Sequence, residues 1–72
     1  MTRGPVQGVV REWHSEEGWG VIDSPSTPGG CWCHFSVLPG PGFREASAGQ
    51  TVLFAYEVAD QDGYAFRVTT VQ

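Results

Sequence analysis

The residues best suited to chemistry in this chain form one run, Cys31-Trp32-Cys33-His34-Phe35. Two thiols and an imidazole within four positions could ligate a metal ion or form a redox pair. A structural zinc site, however, usually takes four protein ligands in a tetrahedral arrangement. The chain has only two cysteines and two histidines, and the other histidine, His14, follows the first apolar run. We therefore expect no metal and no cofactor, with the cysteines packing as small hydrophobic side chains.

His34 could also act as a general acid or base in catalysis. No Ser/His/Asp or Cys/His constellation can be assembled around it, and spacing alone places no second carboxylate nearby. A lone histidine on a strand is more often a hydrogen-bonding or stacking residue. The sequence therefore predicts no catalytic residues.

The pleat of a β-strand divides this run between two faces. Residues i and i+2 share a face, so the two cysteines point one way while Trp32 and His34 point the other. Either pair could be the buried one. A glycine on each side of Trp19 leaves that indole little cover from its own strand, which favours display. We expect Trp19 and Trp32 to be neighbours on an outer face, although an isolated tryptophan in a small domain is ordinarily core.

Five short apolar runs, separated by turn signals, predict the elements that position these residues. The runs are residues 6–13, 18–23, 31–35, 51–58 and 64–71. In the fourth, Val52, Phe54, Tyr56 and Val58 alternate with weaker apolar or polar residues, which is a period of two. Loops are predicted at 24–30 and 39–42, and Asp62-Gly63 is typical of a hairpin turn. No helical stripe is present, and residues 44–49 could hold one helical turn at most.

This pattern predicts an all-β fold, a five-stranded antiparallel Greek-key barrel that occupies residues 1–72 as one domain. Closure into a barrel would remove exposed strand edges. No run approaches the ~20 apolar residues that span a membrane. The N-terminal residues show no apolar signal segment, so we expect a reducing cytoplasmic location in which the cysteines stay thiols.

Charge is the main objection to a polyanionic ligand. The 72 residues include eight acidic residues, four arginines and no lysine, for a net charge of −4. Affinity for phosphate backbones depends largely on lysine and arginine. Any nucleic-acid interface would therefore have to depend on a local basic and aromatic patch.

Two motifs nevertheless resemble the cold-shock domain, a small OB-fold barrel that binds single-stranded RNA and DNA. EEGWGVID at 16–23 is similar to the first ribonucleoprotein motif of that family, K-G-F-G-F-I, and CWCHFS at 31–36 to the second, V-F-V-H-F-S. The similarity extends over about residues 8–71, with an altered loop at 24–30 and a diverged fifth strand. It implies a monomeric protein of the RNA-chaperone or regulatory kind, with a single-stranded nucleic-acid partner and no small-molecule substrate.

The resemblance also implies a set of binding residues. Bases would stack on aromatic rings of the first three strands and the following loop, while two arginines lie near phosphates. The residues at matching positions are Trp13, Trp19, Trp32, His34, Phe35 and Phe43 for stacking, and Arg11 and Arg44 for phosphates. The side on which Trp13 faces stays open, because a bulge in its strand would reverse it.

Three departures from the family pattern predict weak binding. Glu12 stands where the family usually has tryptophan, Glu17 where it has lysine, and Val21 where it has phenylalanine. The glutamates have two interpretations, as a solvated turn that maintains solubility or as residues that reduce nucleic-acid affinity. The alternative function is a cold-shock fold with reduced nucleic-acid binding that uses its aromatic face to bind a protein.

Overall fold

The computed structural model describes residues 1–40 and 45–72, and within them five strands occupy the five predicted runs. The strands are β1 (Arg3–His14), β2 (Trp19–Asp23), β3 (Cys31–His34), β4 (Thr51–Gln61) and β5 (Tyr64–Val71). One 3₁₀ turn, Phe35–Val37, directly follows β3. Among these residues, no helix has the length and apolar character needed to cross a membrane.

The strands form a closed barrel in the order β1-β2-β3-β5-β4, with β4 pairing back onto β1. This confirms the predicted all-β, five-stranded barrel. Four of the pairs are antiparallel, whereas β3 and β5 run parallel, with Cys31 opposite Phe66 and Trp32 opposite Arg67. The parallel pair corrects the purely antiparallel expectation. It arises because the chain leaves β3, forms the β4–β5 hairpin against β1, and returns alongside β3.

The core is formed by alternate residues of all five strands and by Leu38 after the 3₁₀ turn. Its buried members are Val10, Ile22, Cys31, Cys33, Leu38, Val52, Phe54, Tyr56 and Val68. In β4 the predicted alternation holds for the first three residues but not for Val58, which is 64% exposed. At Val58 the strand has left β1 behind and pairs only with β5, so no second strand is present to cover that side chain.

A β-bulge in β1 determines which side chains face outward near its end. Val10 pairs with Ile22 and Glu12 with Val21, so Arg11 is an extra residue with no partner opposite it. The bulge places Trp13 opposite Gly20. A Cβ atom on Gly20 would collide with the carbonyl oxygen of Glu12 and the ring of Trp13. Glycine at this position therefore lets β1 and the Trp13 ring lie directly against β2.

The predicted hairpin turn lies between β4 and β5. Asp62 and Gly63 have φ angles of 51° and 88°, so both central residues are in the left-handed region. Two positive φ angles define the type I′ turn, whose twist matches that of the flanking strands. The Asp-Gly pair is therefore confirmed as the hairpin signal.

Alanine at Gly63 and alanine at Gly20 should lower the free energy of unfolding by different amounts. Gly63→Ala should lower the free energy of unfolding by about 1 kcal/mol, because a Cβ there meets open space and only the positive φ is unfavourable. Gly20→Ala should cost about 3 kcal/mol or more, since its Cβ overlaps backbone as well as the Trp13 ring. Urea unfolding of both variants checks this. Equal costs would contradict the close contact between β1 and β2.

Candidate nucleic-acid interface

The outer surface of β1, β2 and β3 carries a continuous set of aromatic rings. Strand register brings its members together, because Trp19 lies opposite His14 on one side and opposite His34 on the other. Trp32 is diagonal to Trp19, and Phe35 follows β3. We call this set the aromatic face; its members are His14, Trp19, Trp32, His34 and Phe35.

Ring contacts run from one end of the aromatic face to the other. The centroid of His14 lies 4.3 Å from that of Trp19, and the Trp19 and Trp32 centroids are 6.4 Å apart with planes inclined by 20°. Trp32 and His34 are separated by 5.8 Å at 27°, and His34 and Phe35 by 4.6 Å. The two pairs that include Trp32 are close to parallel, whereas the His14–Trp19 and His34–Phe35 pairs are tilted by 33° and 40°. Half-buried rings of this kind present π-surface to a ligand.

On the opposite side of β3, the two cysteines are buried in the core. Cys31 is 0% exposed and Cys33 is 1% exposed, which confirms the predicted division of the strand between two faces. The pKa of each thiol is raised to about 12, by burial in both cases and, for Cys31, also by charge repulsion from Cys33. Both are free thiols. No group of three or more potential metal-ligating residues is found in residues 1–40 and 45–72.

Trp13 is not brought into the aromatic face. It is half-buried, packs against the hydrophobic core, and lies beside Gly20 on the inner side of the sheet. Its indole Nε1 is enclosed without a hydrogen-bond partner. The bulge at Arg11 is the physical reason, because one extra residue reverses the alternation of the strand. The sequence left open on which side Trp13 faces, and the structure shows that it faces the core.

Arg11, the predicted phosphate contact of β1, is engaged in an ion pair. Its Nε donates to both carboxylate oxygens of Asp23 at 3.0 Å, and its Nη2 lies 2.6 Å from Oδ1. The same Nη2 donates to the carbonyl of Gly29 at 3.3 Å. The hydrogen bond to Asp23 raises the pKa of Arg11. A phosphate at this position would have to compete with Asp23.

The other two predicted residues, Phe43 and Arg44, lie outside the described residues. Trp19, Trp32, His34 and Phe35 are therefore the predicted stacking residues that the structure brings together. Val21, at the position where the family has phenylalanine, is completely buried although it lies opposite Trp32. It adds nothing to the exposed ring surface.

Sequence reasoning missed two residues of this surface, His14 and Arg67. His14 reaches the outer face only because of the bulge, for which the sequence carries no signal. Arg67 lies opposite Trp32 through the parallel β3–β5 pair, a long-range register that local pattern cannot supply. Its guanidinium donates to the carboxylate of Glu57 and to Gln61 Oε1, so this cation too is paired within the protein.

Carboxylates lie next to the rings. Glu12 Oε2 is 2.5 Å from His14 Nε2, and Glu17 Oε1 accepts a hydrogen bond from Trp19 Nε1 at 3.4 Å. Since Arg11 and Arg67 are each paired with an acidic residue, the described part of this surface carries little uncompensated positive charge. Its attraction for a ligand must come mainly from the rings.

His34, the second histidine of the aromatic face, makes hydrogen bonds with Ser36 through its ring nitrogen Nδ1. The backbone N–H of Ser36 donates to His34 Nδ1 at 3.2 Å, and Ser36 Oγ lies 2.8 Å from the same atom. A backbone N–H is always a donor. His34 Nδ1 therefore accepts this hydrogen bond and caps the 3₁₀ turn.

A closed five-stranded barrel with aromatic rings displayed on its first three strands defines an OB-fold of the nucleic-acid-binding class. No family model matches the chain. It is 27% identical over 64 residues to the cold shock-like protein CspD of Haemophilus influenzae, a similarity that covers 89% of each chain. In its barrel and in this sequence similarity the chain resembles cold-shock domain proteins.

The buried thiols give a testable prediction about alkaline pH. Because folding raises the pKa of both cysteines, their contribution to stability is complete below the pKa of an unfolded thiol and is lost as pH rises toward about 12. The free energy of unfolding should therefore fall above about pH 9. The double variant Cys31→Val, Cys33→Val should show a smaller fall. Denaturant titrations at several pH values measure both, and identical pH profiles would contradict the burial effect.

Proposed function

We propose that the protein binds single-stranded RNA or DNA by stacking bases on the aromatic face, as a monomer and without catalytic turnover. The observation that carries the proposal is the unbroken series of ring contacts from His14 to Phe35 on one side of a cold-shock barrel. Every base has a π-face, so such a surface accepts single strands with little regard to sequence, at about 1–3 kcal/mol per stacked base.

The indole hydrogen-bonding groups support stacking over base-edge recognition. Trp32 Nε1 is enclosed and has no hydrogen-bond partner, so Trp32 offers a ligand its ring surface and no donor. Trp19 Nε1 is directed at Glu17. Neither tryptophan is therefore arranged to select a particular base through its N–H. Low sequence preference follows, and a general role as an RNA chaperone or regulator in the cytoplasm fits it.

Charge supports an affinity lower than is usual for proteins that neutralise many phosphates. Two of the arginines near the face, Arg11 and Arg67, are paired with Asp23 and Glu57. Glu12 and Glu17 add negative charge beside the rings. Each phosphate contact contributes to affinity and to its salt dependence. With few such contacts, binding should be weak and should vary little with salt.

The first test removes one ring from the centre of the face. Trp32→Ala should weaken binding of a labelled thymine heptamer by about fivefold or more, the lower end of one lost stacking contact. Fluorescence anisotropy measures the affinity, and quenching of tryptophan emission in the unaltered protein provides a second signal. Leu53→Ala is the control, because Leu53 is a 45% exposed apolar residue of β4 outside the aromatic face.

Equal affinities for Trp32→Ala and the unaltered protein would place binding elsewhere. No binding by the unaltered protein at high micromolar strand and low salt would overturn the proposed function. It would leave the aromatic face as a surface for a protein partner.

The second test reverses a charge at the edge of Trp19. Glu17→Lys should strengthen binding severalfold and increase its salt dependence, because an acidic group beside the rings is replaced by a cation that can approach phosphate. Glu16→Lys changes the net charge equally and lies in the same exposed turn. A larger effect at position 17 is expected from isothermal titration calorimetry at two salt concentrations. Equal effects would mean that overall charge matters and that Glu17 lies outside the binding surface.

A further inference from the structure

His14 differs from Arg11 and Arg67, the arginines that the structure describes near the aromatic face. Arg11 and Arg67 are permanently charged and already paired with acidic residues, whereas His14 gains a charge only on protonation. Histidine is the side chain whose charge ordinarily changes between pH 5 and 8. A proton on His14 is therefore a positive charge that can be added to this surface under mild conditions.

The position of His14 would make that charge effective. Its ring lies 4.3 Å from the centroid of Trp19, within the distance at which a cation interacts favourably with an indole face. Its Nε2 lies 2.5 Å from Glu12 Oε2. An ionised carboxylate only accepts hydrogen bonds, so Nε2 carries a proton in the neutral ring, and Nδ1 takes the second. Protonation thus converts a hydrogen bond to Glu12 into an ion pair.

Three carboxylates lie around His14 on the described part of this surface. Glu12 faces it from its own strand, Glu17 lies beside Trp19 in the adjoining turn, and Glu45 contacts Ser15 at 3.4 Å. These carboxylates repel phosphate. A proton on His14 would offset the charge of Glu12. It would also place a positive charge against the Trp19 ring at the edge of the stacking surface.

His34 is the natural comparison, because it belongs to the same face but has the opposite hydrogen bonding. Its Nδ1 accepts a backbone N–H from Ser36, so adding a proton there would break the cap of the 3₁₀ turn. The two histidines therefore have different roles. His34 accepts a hydrogen bond within the 3₁₀ turn, whereas His14 contacts a carboxylate, Glu12.

We propose that His14, with Glu12, is a further nucleic-acid-binding unit of this protein, and that its protonation strengthens binding of single strands as pH falls. The inference depends on the proposed function, since it concerns the same aromatic face. The sign follows from the charge change: the protonated form, present at low pH, carries the cation that attracts phosphate, and it is lost as pH rises.

The test measures the affinity for a thymine strand, which has no group that titrates in this range, at about pH 5.5 and about pH 8 and constant ionic strength. The unaltered protein should bind about three- to tenfold more tightly at the lower pH. His14→Gln should abolish the difference. His14→Arg should bind at pH 8 about as tightly as the unaltered protein does at pH 5.5, with little dependence on pH.

His34→Gln and Glu12→Gln complete the comparison. The first should weaken binding at both pH values but keep their ratio, and the second should strengthen binding mainly at pH 8. Far-ultraviolet circular dichroism confirms that each variant is folded. Binding that is equally strong at both pH values in the unaltered protein, or a pH effect that survives His14→Gln, overturns the inference while leaving the proposed function intact. An absence of binding at either pH overturns the proposed function itself.

Discussion

A single extra residue in β1 determines which side chains belong to the aromatic face of this protein. The bulge at Arg11 shifts the register between Val10 and Glu12 and thereby reverses the alternation of the strand. Trp13 consequently packs against the core and Gly20, and His14 joins Trp19 outside. Without the bulge these two side chains would exchange faces, because the period of a strand is two. The composition of the aromatic face thus depends on one irregularity in hydrogen bonding.

Ion pairs within the protein reduce the positive charge that this surface offers to a ligand. Arg11 is bound to Asp23, Arg67 to Glu57, and Glu12 lies against His14. Arg11 and Arg67, the described arginines near the rings, therefore serve internal ion pairs. Partly exposed pairs of this type contribute little to stability, so their main effect here is on the electrostatic potential of the surface. In the proposed function, stacking is therefore the principal attraction.

Much of the fold could be predicted because its signals are local. Apolar runs and turn residues predicted all five strands, and the Asp-Gly pair predicted the hairpin between β4 and β5. Alternation in the third strand predicted that Cys31 and Cys33 share one face and Trp32 and His34 the other, and the glycines beside Trp19 favoured the tryptophans as the displayed pair. Each of these depends on the period of a strand or on the φ angles that a turn requires, and both are properties of neighbouring residues.

The sequence by itself therefore determined the barrel, the buried thiols and the aromatic character of β2 and β3. Tertiary structure decided the rest: the side on which Trp13 lies, the entry of His14 into the aromatic face, and the position of Arg67 beside Trp32 through the parallel β3–β5 pair. The physical reason is that a bulge and a long-range register depend on hydrogen bonds between distant strands. Those bonds are set by closure of the whole barrel, and no local pattern of residue types encodes them.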